Sequence, residues 1–160
     1  MEGNEGNGVE TTELSSEEDK PVNTWNKTTD PDLFYLQSSL GEHTLIDGEL
    51  HYGKNCQAEI FVHMFTIPEE SRGKRVGSRL LQSFVTEAKD CGATSLFGHI
   101  TSEPALKVFG RNFGEENMKF FHYNQLTHKR TPLDLEYGQV MDKVEKGEKV
   151  DYGVRIDLIK

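Results

Sequence analysis

The sequence predicts an α/β domain (α+β in its mixed sheet), with a central mixed β-sheet flanked by helices. Three observations predict it. Residues 58–67, AEIFVHMFTI, are apolar on both faces, as befits a strand at the centre of a sheet. Segments with a helical apolar period alternate with strand-like ones. The chain has 160 residues, 34% of them apolar, enough for one core but not for two full domains.

The elements follow in order. Residues 1–31 are rich in Glu, Gly, Asn, Ser and Thr, and only Val9, Leu14, Val22 and Trp25 could pack. They read as a disordered acidic tail before a domain over residues 32–160. Residues 33–38 are a candidate first strand. Residues 43–46 and 49–52 flank Asp47-Gly48, a two-residue hairpin signal. Residues 58–67 are the long central strand, ended by Pro68. Residues 74–91 are a helix: Val76, Leu80, Leu81, Phe84, Val85 and Ala88 form one stripe, and Gly92 stops it. Residues 94–100 are a strand. Ser102-Glu103-Pro104 opens a second helix, with Ser102 as its cap and Leu106, Val108 and Phe109 on its buried face. Residues 118–123 are a strand. Thr131-Pro132 opens a third helix, carrying Leu133, Tyr137, Val140, Met141 and Val144 and closed at Gly147. Residues 154–158 alternate as a half-buried strand.

Charge narrows the function. Nine acids and two lysines lie in residues 1–32 and hold seven of the nine net negative charges. The body is close to neutral and lacks the basic excess of a nucleic-acid binder. No run approaches the roughly 20 apolar residues of a spanning helix. The N-terminus has no apolar signal core, so no membrane association and a cytoplasmic, reducing setting are expected. Cys56 and Cys91 cannot build a disulfide framework and read as small apolar fillers. The six histidines show no metal spacing, so no metal is expected.

The chemistry concentrates in residues 67–81, IPEESRGKRVGSRLL. A central strand ends, a polar turn with glycines follows, and an amphipathic helix starts at once. The first N–H groups of that helix have no intrahelical partners and lie at the positive end of its dipole. A pyrophosphate would supply acceptors and negative charge together. Gly73 and Gly77 allow close backbone approach, and Arg72, Lys74, Arg75 and Arg79 add local positive charge. No GxxxxGK[ST] and no GxGxxG is present.

This stretch resembles the cofactor motif of the GNAT superfamily of acetyl-CoA-dependent N-acetyltransferases, (Gln/Arg)-x-x-Gly-x-(Gly/Ala). Arg72-Gly73-Lys74-Arg75-Val76-Gly77 matches its first and last positions, with Arg75 in place of the middle glycine. Ser102-Glu103-Pro104-Ala105-Leu106-Lys107-Val108-Phe109 is similar to the family's Asn-x-x-Ala-x-x-x-Tyr, with Ser102 for the asparagine and Phe109 for the tyrosine. In the family that tyrosine often protonates the leaving thiolate, which phenylalanine cannot do. Water, another group, or departure as the thiolate (pKa about 8.5) then serves. The resemblance covers about residues 56–123. It implies a GNAT-like sheet and acetyl transfer from acetyl-CoA to a primary amine, either a small amine or a protein lysine. The transfer would go by direct attack in a ternary complex. It also implies cofactor contacts from Phe65, Thr66 and Ile67, from Arg72 through Ser78 (Arg72, Gly73, Lys74, Arg75, Val76, Gly77, Ser78), and from Ser102 and Phe109.

Such a reaction needs orientation, a base for the amine and a polarised carbonyl. Glu59 and His63 are the candidate bases. Strand alternation puts them on one face with Phe61 and Phe65, and Glu59 sits in an Ala-Glu-Ile context similar to the catalytic glutamate of histone-type members. The bland alternatives are a salt-bridged strand residue for Glu59 and a satisfied core histidine for His63. Tyr123 and Tyr137 could each act as an acid and equally could be packing residues. The family's two helices between its first and second strands have no room here, so the helix near residues 132–146 is expected to replace part of the acceptor wall, or else to cover the sheet. A catalytically silent GNAT-fold module that binds CoA or a protein partner stays open as the alternative, as does a scaffold or inhibitor.

Overall fold

Apolar stripes set the architecture. The computed structural model describes residues 20–41, 44–53, 57–66 and 75–158. Among them are eight strands and three α-helices: β1 Val22–Lys27, β2 Leu33–Leu40, β3 Thr44–Tyr52, β4 Ala58–Thr66, α1 Val76–Asp90, β5 Ala93–Ile100, α2 Glu103–Phe113, β6 Lys119–Tyr123, β7 Arg130–Pro132, α3 Tyr137–Glu145 and β8 Tyr152–Asp157. The strands form one mixed sheet in the order β1-β2-β3-β4-β5-β8-β6-β7. This is the predicted fold class. The pairing of β4 with β5 is parallel, and every other pairing is antiparallel. No described helix is long and apolar enough to cross a membrane.

α1 is amphipathic as its stripe predicts. Leu80, Leu81, Phe84 and Ala88 are fully buried against the sheet, each of the larger ones contributing about 1.5–3 kcal/mol of burial. From the sheet, Ala58, Ile60 and Val62 of β4 and Leu96 and Ile100 of β5 face the same core. α2 begins where its proline motif indicates, with Ser102 Oγ accepting from the Ala105 N–H at 3.3 Å.

The structure corrects three expectations. Residues 22–27 are not tail but edge strand β1, paired with β2. Its Trp25 packs against the core and donates from Nε1 to Glu87 Oε2 of α1 at 2.6 Å. Residues 1–19 lie outside the described residues, as do His43 and Cys56. Second, Asp47-Gly48 is not a hairpin but the middle of the continuous strand β3. A Cβ on Gly48 would stand 2.2 Å from the Phe61 carbonyl oxygen, so this glycine serves close strand approach and not a turn. Third, residues 130–132 are strand β7, and the third helix starts only at Tyr137. Glu136 and Gln139 form a reciprocal capping box at its start.

Opposite Gly48 lies a β-bulge. Asp47 pairs with Met64 and Gly48 with Val62, which leaves His63 as an extra residue of β4. The inserted residue reverses the side-chain alternation beyond it. Phe65 therefore packs toward the core, 6.3 Å from the Phe109 ring, and not on the face of Glu59 and Phe61 where simple alternation puts it.

Candidate active site

The parallel ladder between β4 and β5 ends at Val62 and Gly98. Both strands continue past it, β4 to Thr66 and β5 to Ile100, without pairing to each other. A cleft of about 190 Å³ opens between the two ends, lined by Val62 through Phe65, Gly98 through Ser102, and Ala105 and Phe109 of α2. Phe109 is 1% exposed and forms part of the apolar lining.

Nine residues separate the end of β4 from the start of α1. Its cap, Arg75, has φ +60° and makes no side-chain capping bond, and the first turn carries no acidic residue. That end keeps its positive character. Gly77 is buried in the first turn, and Ser78 Oγ accepts from Asn112 Nδ2 of α2 at 3.0 Å. Ile67, Arg72, Gly73 and Lys74 lie outside the described residues.

A second cavity, of about 640 Å³, lies on the other face. Glu59 and Phe61 of β4 line it with Glu49 and His51 of β3, Tyr123 of β6, and Gln125, His128 and Arg130 from the β6–β7 hairpin. Val62, His63, His99 and Thr101 line both cavities, so the two meet at the parting of β4 and β5.

Four strand spacings separate β4 from β7, about 19 Å in a flat sheet. Yet Arg130 reaches Glu59 through two bonds, at 2.9 and 2.6 Å, so the sheet curls over the chamber. Gly153 of β8 allows the curl: a Cβ there would stand 2.5 Å from the Phe97 ring. The Arg130 guanidinium lies 3.7 Å from the centre of that ring. Glu59 is thus an engaged carboxylate in a bidentate pair, which matches the bland alternative for that residue. His63 Nε2 lies 3.0 Å from Glu49 Oε1, and His51 Nε2 is 3.2 Å from the same oxygen. Burial works to raise the Glu49 carboxyl, but hydrogen bonds and charge from His63 and His51 outweigh it and hold the group below its ordinary range. The Tyr123 hydroxyl lies 2.9 Å from His128 Nδ1, and burial pushes its phenol up, with Arg130 opposing and Glu59 adding.

The structure also brings in residues that sequence reasoning missed: Glu49, His99, Asp151, Gln125, His128 and Arg130. Arg130 stands 71 positions from Glu59, and Asp151 52 from His99, so no local pattern signals either pair. Conversely, α3 does not wall the chamber. Its Tyr137 leans on Gly110 of α2, where a Cβ would stand 3.1 Å from the ring, and neither Tyr137 nor Met141 lines either cavity. No helix stands between β1 and β2 or between β2 and β3 among the described residues, so the wall comes from the β6–β7 hairpin. Cys91 is a free thiol raised by burial, with Glu87 and Asp90 adding to the rise. Among the described residues no three His, Cys, Asp or Glu are grouped to hold a metal ion.

No protein-family model matches the sequence, and no curated protein matches it. Solved structures do. A chain of the NatC complex bound to Gag peptide and CoA superposes with a TM-score of 0.50 at 9% identity, over 78% of this chain and 71% of that one. Nourseothricin acetyltransferase gives 0.48 at 16% identity over 81% and 67%. Arabidopsis thaliana NAA60 in complex with a bisubstrate analogue gives 0.49 at 11% identity over 81% and 78%. The mixed sheet, its parting at the one parallel pair and the helix that follows β4, together with the likeness to the NatC chain, give this chain a GNAT-like fold.

Proposed function

We propose that this protein is an N-acetyltransferase that moves an acetyl group from acetyl-CoA to a primary amine, carried by a small molecule or a protein lysine. The observation that carries the reading is the junction of the two cavities at Val62, His63, His99 and Thr101. The narrow cleft suits a thin pantetheine arm with its amides, and the wider chamber, with its carboxylates and imidazoles, suits an amine. The groups fit the donor. The open edge of β4 beyond Val62 offers backbone N–H and C=O groups to amides and to a thioester carbonyl. The uncapped start of α1, with Arg75 exposed beside it, suits a diphosphate. In this reading Phe65, Thr66, Val76, Gly77, Ser78, Ser102 and Phe109 belong to the donor side, together with Ile67, Arg72, Gly73 and Lys74.

Acetyl-CoA supplies an activated acyl group, and the chain orients the partners and removes a proton. An alkyl amine has a pKa near 10.4 and attacks only when neutral. The imidazoles of His63 and His99 stand at the junction, whereas Glu59 is held by Arg130. Phe109 offers no acid, so the thiolate leaves unassisted at that position. That feature favours the second reading, a silent module that binds CoA or a protein partner. Saturating acetyl-CoA is expected to raise the melting temperature by several degrees through mass action, and a panel of amines should then release free thiol. No shift at millimolar acetyl-CoA would overturn the enzyme and the CoA-binding module alike and leave only a module for a protein partner. A shift without thiol release would leave the silent module.

A further inference from the structure

We propose that His99, oriented by Asp151, takes the proton from the acceptor amine. This rests on the acyltransferase reading above. His99 follows Gly98, the last β5 residue paired with β4, and lines both cavities. Its side chain is 14% exposed, while that of Asp151, in the segment leading into β8, is 58% exposed.

The ring's two nitrogens have different partners. Nε2 lies 2.6 Å from Asp151 Oδ1, and Nδ1 lies 2.9 Å from Gln125 Nε2. A carboxylate accepts and an amide nitrogen donates. Only one neutral arrangement satisfies both: Nε2–H donates to Asp151, and Nδ1 accepts from Gln125. The carboxylate thereby fixes the tautomer and turns the basic nitrogen toward a residue of the chamber wall. Gln125 is exposed and contributes an N–H donor to that nitrogen. The N–H of an entering ammonium can take its place.

The alternatives are less suited. Glu59 spends both oxygens on Arg130. The His63 side chain is 42% exposed, and its Glu49 partner divides one oxygen between His63 and His51. The balance of the step is simple. The ammonium gives one proton to Nδ1 and keeps the N–H electron pair, which forms the N–C bond as the C–S bond breaks and its pair leaves on sulfur. A second proton from nitrogen ends on the thiol. The proton taken up on Nδ1 then passes to water in the chamber, which restores the Nε2–H tautomer held by Asp151.

The test uses the full chain with acetyl-CoA and a panel of primary amines, following thiol release, beside ¹⁵N spectra of the imidazoles without substrate. His99→Gln and Asp151→Asn are expected to lower kcat about 100-fold, with KM for the amine little changed. The wild-type spectrum is expected to show His99 protonated at Nε2, and Asp151→Asn to shift it toward the other tautomer. A wild-type ring protonated at Nδ1 overturns the inference whatever the activity. So does a full rate in both variants, or a 100-fold loss in His63→Gln with none in His99→Gln. If the wild type releases no thiol with any amine, the acyltransferase reading fails and the inference with it, while the tautomer still reports whether Asp151 orients the ring.

Discussion

Tyr35 shows how a single side chain on the chamber face of the sheet is tied to its surroundings. Its hydroxyl donates to the buried Asp47 carboxylate at 2.6 Å. Burial, then the hydrogen bond and charge of Asp47, with Glu49 adding, push its phenol up to about 12. A group whose folded pKa is raised contributes stability that is intact below its unfolded value and is lost as the pH rises through the folded one. The urea midpoint is therefore expected to fall between pH 10 and 12, and to fall less steeply in Tyr35→Phe. Equal slopes would show that Tyr35 is not the source. Part of the slope will persist, because burial raises Tyr52, Tyr123 and Tyr137 as well. At this scale the sequence was informative about residue types and silent about partners. Glu59 and His63 were visible as polar groups in an apolar strand. Arg130, Glu49 and Asp151 were not, because each meets its histidine or carboxylate across strands that the fold alone brings together.

Among elements, α1 and the turn before it are where sequence and backbone bear on each other most directly. Arg75 occupies the left-handed region, with φ +60°, at the position where the family motif carries glycine. A non-glycine residue there costs about 1 kcal/mol. Arg75→Gly is expected to raise stability by about 1 kcal/mol in urea titration and, under the proposed function, to weaken the binding of acetyl-CoA by removing a cation. Unchanged stability would mean that the turn relaxes once the side chain is gone. α1, α2 and β4 were legible because their signals are local: a stripe, a cap and proline, an apolar run. β1 was not, because five of its six residues are exposed and only Trp25 turns inward. Asp47-Gly48 misled for a physical reason. Glycine marks a tight turn and a close crossing of two strands equally well, and only the bulge on β4 shows which is present.

For the whole molecule the sheet's curl matters most, and no local pattern could announce it. It arises from the small Gly153 beneath Phe97 and the Arg130 stack above it. The opposite edge is held more lightly. β1 has one ladder, to β2, and side-chain bonds that link Trp25 and Asn23 to Glu87 and Ser83 of α1. Trp25 is the chain's one tryptophan, so its emission reports on that edge. In a urea titration its red shift is expected at lower denaturant than the loss of far-ultraviolet dichroism, as an edge that opens before the core requires. Coincident curves would make β1 part of the cooperative unit. The curl also separates two tasks along the chain. Residues near the ends of β4 and β5 and the start of α2 shape the narrow cleft, while the short 124–130 turn supplies much of the roof over the wide one. If the proposed function holds, a lineage could rewrite that turn and admit a new guest without disturbing the cleft assigned to the donor, so diversification here would be cheap on one side and forbidden on the other.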